Sequence, residues 1–278
     1  MSDEVPGYEA GYVFRDRYPE RTEVYRRFDE ASAAARQTHG CRLDIRYGPH
    51  PRETFDLFTG KSGAPLVVFV HGGYWQSLDK QRFSFVALPL VARGFAVALP
   101  NYPLAPESPP EAIVGSVTRC LPAVLGALGA APSSIIATGH SAGGHLAAML
   151  SLGHPVAACV PISGIFDVAP LLHTSVNAAL ALDAARAAAI SPISRPPRRG
   201  CRLVALVGGD ETAAFTAQSE SYVRHWRDGG EVAELVSLGG RNHYTVLCDL
   251  LEERSRIVAE IVRAADAFRR EERGIERS

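Results

Sequence analysis

A serine set between glycines, where an apolar run meets an Ala- and Leu-rich stretch, is a nucleophile in its structural context. Here the segment is Ile135-Ile136-Ala137-Thr138-Gly139-His140-Ser141-Ala142-Gly143-Gly144-His145-Leu146. Gly-x-Ser-x-Gly between a strand and a helix describes a sharp turn that lifts Ser141 above a sheet, and Gly139 and Gly143 leave room for the backbone to cross. The first turn of the helix points free N–H groups at any anion formed above that hydroxyl. The chemistry is acyl transfer, which needs a base for the serine and a carboxylate to orient the base.

Nine histidines are available. His243, in Gly239-Gly240-Arg241-Asn242-His243, follows the last strand-like run and precedes the last helix, where the base belongs when the chain order is serine, acid, histidine. His140 braces the serine turn and His145 packs beneath it, while His39, His50, His154, His173 and His225 read as surface residues. Val207-Gly208-Gly209-Asp210-Glu211 offers two adjacent carboxylates, of which only one can face His243. The turn spacing counted from Gly208 favours Glu211 over Asp210. Glu231 and Glu234 fall in the wrong element.

A second glycine pair stands in His71-Gly72-Gly73-Tyr74-Trp75, at the end of an apolar run. Such a turn exposes backbone N–H groups to the crevice where open α/β sheets bind ligands. The amides of Gly73 and Tyr74, with that of Ala142 after the serine, form an oxyanion hole in this reading. Tyr74 and Trp75 supply apolar faces for a substrate; the bland alternative is a hairpin turn with two core aromatics.

These residues must be held by a sheet. Continuous apolar runs at Leu66-Val67-Val68-Phe69-Val70, Phe95-Ala96-Val97-Ala98-Leu99, Ser134-Ile135-Ile136-Ala137, Ala157-Ala158-Cys159-Val160-Pro161-Ile162 and Leu203-Val204-Ala205-Leu206-Val207 mark strands covered on both faces. A last strand is expected at 232–236. Alternating Leu43, Ile45 and Tyr47, then Phe55 and Leu57, predict two half-buried strands of an antiparallel edge hairpin. Helices are expected at 20–37, 79–93, 109–129, 142–152, 216–229 and 244–270. Strand and helix alternate, which predicts one α/β domain over 1–278 with a doubly wound, mainly parallel sheet of eight strands. Residues 1–40 read as a solvated helical extension on the outside, and about 164–200, with its Ala-rich part at 177–190, as a lid-like or cap-like insertion.

With 278 residues the chain is long enough to bury a full core, and a formal net charge of -1 gives no reason to expect nucleic acid or an anionic membrane as partner. No N-terminal apolar segment stands out and no uninterrupted apolar run reaches the length of a membrane span, so a cytoplasmic protein is expected. The five cysteines are scattered without a C-x-x-C pair and read as reduced thiols, with no structural metal site.

Taken together, these motifs resemble the kynurenine formamidase (arylformamidase) family of α/β-hydrolases. The resemblance rests on Tyr47-Gly48 with Asp56-Leu57-Phe58, His71-Gly72-Gly73-Tyr74-Trp75-Gln76, Tyr102-Pro103-Leu104-Ala105-Pro106, Gly139-His140-Ser141-Ala142-Gly143, Ser163-Gly164-Ile165-Phe166-Asp167, and Phe215 with Gln218-Ser219. It implies an α/β-hydrolase fold and hydrolysis of N-formyl-L-kynurenine to kynurenine and formate in tryptophan degradation, without cofactor or metal. It also selects Glu211 as the acid, four residues before Phe215. The chain departs from the pattern in carrying Glu where animal members carry Asp, and in a shorter segment between Ser141 and the acid. The expected partner is a small aromatic formamide or ester, and a homodimer is compatible with the pattern without being required by it. A short-chain carboxylesterase or another aryl-amide or carbamate hydrolase would use the same triad; a non-catalytic binding protein would normally have lost one of its members.

Overall fold

The computed structural model describes residues 7–38 and 40–275; the opening segment 1–6 and His39 lie outside them. Eight strands form one sheet: β1 (Cys41–Arg46), β2 (Thr54–Phe58), β3 (Leu66–Val70), β4 (Ala96–Pro100), β5 (Ile135–His140), β6 (Ala158–Ile162), β7 (Arg202–Gly208) and β8 (Ala233–Leu238). Their order is β1-β2-β4-β3-β5-β6-β7-β8, antiparallel at β1/β2 and β2/β4 and parallel from β4 onward. The described helices are α1 (Tyr8–Tyr12), α2 (Arg21–Ala35), α3 (Ala87–Val91), α4 (Pro110–Leu128), α5 (Ala142–Gly153), α6 (Asn177–Leu180), α7 (Ala184–Ile190), α8 (Ala213–Asp228) and α9 (Arg256–Ile275). They cover both faces of the sheet. Every residue of β3, β4 and β6 is buried, as continuous apolar runs covered on both sides require.

The chain leaves β3 for β4 on one side and returns to place β5 on the other. The carboxyl ends of β3 and β5 therefore meet at the point where the winding direction reverses, which opens a crevice there. The double-glycine turn follows β3 and Ser141 follows β5, so the topology alone brings the two motifs together.

Several elements differ from expectation. The edge hairpin forms, but only β1 is exposed; β2 lies inside the sheet between β1 and β4 and is buried throughout. The helix expected at 79–93 begins as a 3-10 segment, Lys80–Val86, capped by the Asp79 carboxylate on the Gln81 N–H, before α3. The expected final helix is likewise split into a 3-10 segment, Thr245–Leu251, and α9. Helix α4 is by length and composition apolar enough to cross a bilayer, although polar residues interrupt its apolar run. Its Ile113, Val117, Cys120, Leu121 and Val124 recur at helical spacing and are buried, and the helix packs on α5 and α7.

The N-terminal stretch departs furthest from its reading as a solvated extension. Tyr12, Phe14, Tyr18, Val24 and Phe28 are buried in the common core. Thr212 Oγ1 donates to the Gly11 carbonyl, the Gln218 amide to Tyr12 Oη, and Tyr18 Oη to the Asp210 carbonyl. The alternating charges at 20–37 mark only the outer face of α2, and the aromatic residues before that helix carry the packing. In the 164–200 segment, Phe166, Val168, Leu171 and Ile190 are buried, and Asn177 holds the Leu182 N–H where Ala181 breaks the helix.

Candidate active site

Ser141 occupies φ 57°, ψ -122°, a left-handed backbone that a residue with a Cβ adopts only when its surroundings hold it there. What holds it is close packing of the first turn of α5 against the end of β3. A Cβ on Gly143 would lie 2.0 Å from the Val70 carbonyl oxygen and 2.5 Å from that of His71, so only glycine fits. The Ser141 N–H donates to the Ile162 carbonyl at 2.9 Å, pinning the turn to β6.

The loop after β3 is built as a run of left-handed residues: Gly73 at φ 106°, Tyr74 at 51° and Trp75 at 57°. The Gly73 carbonyl accepts from the N–H groups of Gln76 and Ser77, closing the loop on itself. Among the described residues the N–H groups of Gly73 and Tyr74 have no acceptor. The Ala142 N–H is the first amide of α5, which has no partner within its helix. A layer beneath fixes the loop: His71 meets Asn101 Oδ1 through Nε2 at 3.0 Å, and Tyr102 Oη donates to the His71 carbonyl at 2.8 Å. Burial drives the His71 pKa down to about 4, so this imidazole is neutral.

His243 follows β8, and Glu211 follows β7. Nδ1 of His243 lies 2.8 Å from Glu211 Oε2, and the carboxylate is wholly buried. The other oxygen, Oε1, accepts from the Gly208 N–H at 2.8 Å and from the Ser163 hydroxyl. Of the two adjacent carboxylates it is thus Glu211 that faces the imidazole, while Asp210 points to solvent. With Nδ1–H directed at Glu211, Nε2 of His243 is the free lone pair. Neither that nitrogen nor Ser141 Oγ is hydrogen-bonded to a described residue, and both side chains line one cavity. Such contacts are commonly loose without substrate and tighten in the complex. His140 braces the arrangement, since its Nε2–H donates to the His243 carbonyl at 2.8 Å. Burial and the neighbouring His243 hold its pKa well below the usual imidazole value.

The cavity has a volume of about 490 Å³, within the range of small-molecule sites. Gly73, Tyr74, Ser141 and His243 border it at the sheet. The opposite wall comes from the N-terminal segment: Tyr12, Val13, Phe14, Arg15, Arg21 and Tyr25. Phe14 meets His243 edge-on at 5.0 Å, and Tyr74 Oη donates to the Tyr12 carbonyl at 2.5 Å. From the 164–200 segment only Ser175 and Val176 reach the cavity. Sequence reasoning missed this N-terminal wall; its signal was the aromatic run Tyr12, Phe14 and Tyr18, which a solvated helix has no reason to carry.

Trp75 does not take the place in the cavity expected of it. Its ring is 1% exposed and meets His145 edge-on at 4.9 Å. The left-handed backbone at Tyr74 and Trp75 turns neighbouring rings to different sides, so Tyr74 borders the cavity and Trp75 enters the core. His145 is also buried, donating Nε2–H to the Ile190 carbonyl at 2.7 Å, with its pKa lowered to about 4 by burial. No group of three or more potential metal ligands occurs among the described residues.

With this geometry established, comparison with known proteins places the chain among hydrolases. A family model described as BD-FAE matches residues 56–177. The chain is 30% identical over 240 residues to the kynurenine formamidase of Salmo salar, covering 81% of that protein and 80% of this one. It is 29% identical over 235 residues to the kynurenine formamidase of Danio rerio, covering 80% of that protein and 79% of this chain. The crystal structure of a candidate thioesterase from Silicibacter sp. TM1040 superposes with a TM-score of 0.83 at 32% identity, covering 98% of that chain and 91% of this one.

Proposed function

Because the chain belongs to the kynurenine formamidase family of α/β-hydrolase enzymes, we propose that it hydrolyses the formamide of N-formyl-L-kynurenine to kynurenine and formate. The observation that carries this reading is the buried Glu211–His243 pair, set beside Ser141 at the edge of one cavity. Ser141 is the nucleophile, His243 the base and Glu211 the carboxylate that orients it. His243 Nε2 takes the Ser141 proton as Oγ attacks the formyl carbon, and Glu211 stabilises the imidazolium that forms. The oxyanion rests on the N–H groups of Gly73, Tyr74 and Ala142, each of which typically contributes about 10²–10³ in rate. His243 then gives its proton to the departing aniline nitrogen. Water, deprotonated by the same imidazole, attacks the formyl-serine, and formate leaves with Ser141 restored. Formyl is the smallest acyl group and needs little room beside Ser141. The rings of Tyr12, Phe14, Tyr74 and Tyr244 offer apolar faces to an aryl leaving group.

The same groups would cleave esters and thioesters, and the 32% identity to the candidate thioesterase keeps that as the second reading. The deciding measurement is kcat/KM on N-formylkynurenine, with formate detected, beside p-nitrophenyl acetate and a short acyl thioester. Preference for the formamide is expected; a large preference for either other substrate overturns the proposal. Labelling by a fluorophosphonate that is lost in Ser141→Ala tests the nucleophile separately.

A further inference from the structure

Among the described residues the cavity wall carries charge of one sign. Arg15, Arg21 and Arg82 line it, and no described Asp or Glu does, although the chain as a whole has a net charge of -1. The three guanidinium groups are not equivalent. Arg82 is held by the Asp29 carboxylate at 2.8 and 2.9 Å and lies over the Tyr25 ring. The guanidinium groups of Arg15 and Arg21 make no ion pair or hydrogen bond among the described residues. Nε of Arg21 is buried without an acceptor, a condition that costs free energy unless a bound group supplies one. Its guanidinium stands 5.8 Å from the centre of the Tyr244 ring, and Tyr244 meets His243 edge-on at 5.8 Å. Arg21 and His243 thus contact the same ring, that of Tyr244, in the wall of one cavity.

We propose that Arg21, assisted by Arg15, binds a carboxylate carried on the leaving group, so that the cavity selects acyl substrates with an anionic arm beyond the aryl ring. This rests on the cavity being the substrate site of the hydrolase described above. A planar guanidinium presents parallel donors that match a carboxylate, and low dielectric in a cavity strengthens the attraction. The aromatic walls hold the ring while the cationic end fixes its direction, which places the scissile bond toward Ser141.

The experiment uses two matched pairs of substrates on the full-length enzyme. One pair is N-formylkynurenine and the formanilide ketone lacking the amino-acid end; the other is an aryl acetate with a propanoate arm and its propyl counterpart. The readout is the ratio of kcat/KM within each pair. The carboxylate member should be preferred by the wild type, and Arg21→Gln should lower the ratio about tenfold or more. Arg21→Lys should keep part of the preference, and Arg15→Gln should lower it less and in a salt-dependent way, because Arg15 is exposed. A ratio near one in the wild type, or one unaltered in both Gln variants, overturns the proposal. If neither formamide is cleaved while the ester ratio falls in Arg21→Gln, the reaction proposed above fails and the carboxylate selection stands. If N-formylkynurenine is cleaved with ratios unaltered, the reverse holds.

Discussion

Glu211 holds His243 with one carboxylate oxygen and is itself held through the other. Oε2 lies 2.8 Å from Nδ1, while Oε1 takes the Gly208 N–H and the Ser163 hydroxyl. Glu211→Gln keeps the shape but offers an amide that no longer fixes the tautomer, so kcat should fall about 10³–10⁴-fold. Asp210→Asn, at an exposed side chain, should leave kcat close to wild type. Steady-state kinetics on both variants check this; the opposite ranking would show that the wrong carboxylate has been assigned.

Gly143 is fixed by backbone rather than by a movable side chain, since its added Cβ would meet two carbonyl oxygens. Gly143→Ala must therefore lift α5 from β3, with a stability loss of about 1–3 kcal/mol or more. Ser141→Ala keeps the Cβ already accommodated at that backbone and should denature at the wild-type urea concentration while losing turnover. Equal midpoints for Gly143→Ala and the wild type would sink the packing argument.

Phe14 is 6% exposed and touches His243 at 5.0 Å and Phe215 at 5.5 Å. Phe14→Ala should cost about 3 kcal/mol of stability and admit water beside the imidazole. We expect KM to rise severalfold on whichever substrate is turned over fastest. An unchanged KM, with the variant folded, would return the N-terminal segment to the role of a bystander.

Three buried histidines set an acid limit. The pKa values of His71 and His145 are lowered to about 4, and that of His140 is also depressed, in each case chiefly by burial. Below pH 6.5 the unfolded chain takes up protons that these folded rings refuse. Stability is therefore complete above pH 6.5 and falls as pH drops toward 4, by up to about 1.4 kcal/mol per pH unit for each ring. Urea midpoints between pH 7.5 and 4.5 measure the slope, and His145→Gln should flatten it. A constant midpoint over that interval would contradict the assignment of neutral buried rings.

Strands were legible in the sequence because burial on both faces leaves continuous apolar runs such as Leu66 to Val70, and the serine turn because its glycines follow from backbone clearance. His243 and Glu211 could be located by chain order and turn spacing. What could not be read was which way rings point. Tyr74 and Trp75 are adjacent and chemically alike, yet one borders the cavity and the other sits against His145, a distinction set by two left-handed backbone angles. Nor could the place of the wall be read: the aromatic run Tyr12, Phe14 and Tyr18 signals burial without saying against what. The N-terminal segment that carries it is local in sequence, but the partners of Gly11, Tyr12 and Tyr18, namely Thr212, Gln218 and Asp210, are about two hundred positions away, and periodicity reports only near neighbours.

That wall has an evolutionary consequence. In the proposed reaction the groups that break the bond sit on loops rooted in the sheet, while the surface facing the leaving group belongs to the N-terminal segment laid across them. On that reading a descendant could be retargeted by exchanging this segment, with the bond-breaking apparatus inherited intact.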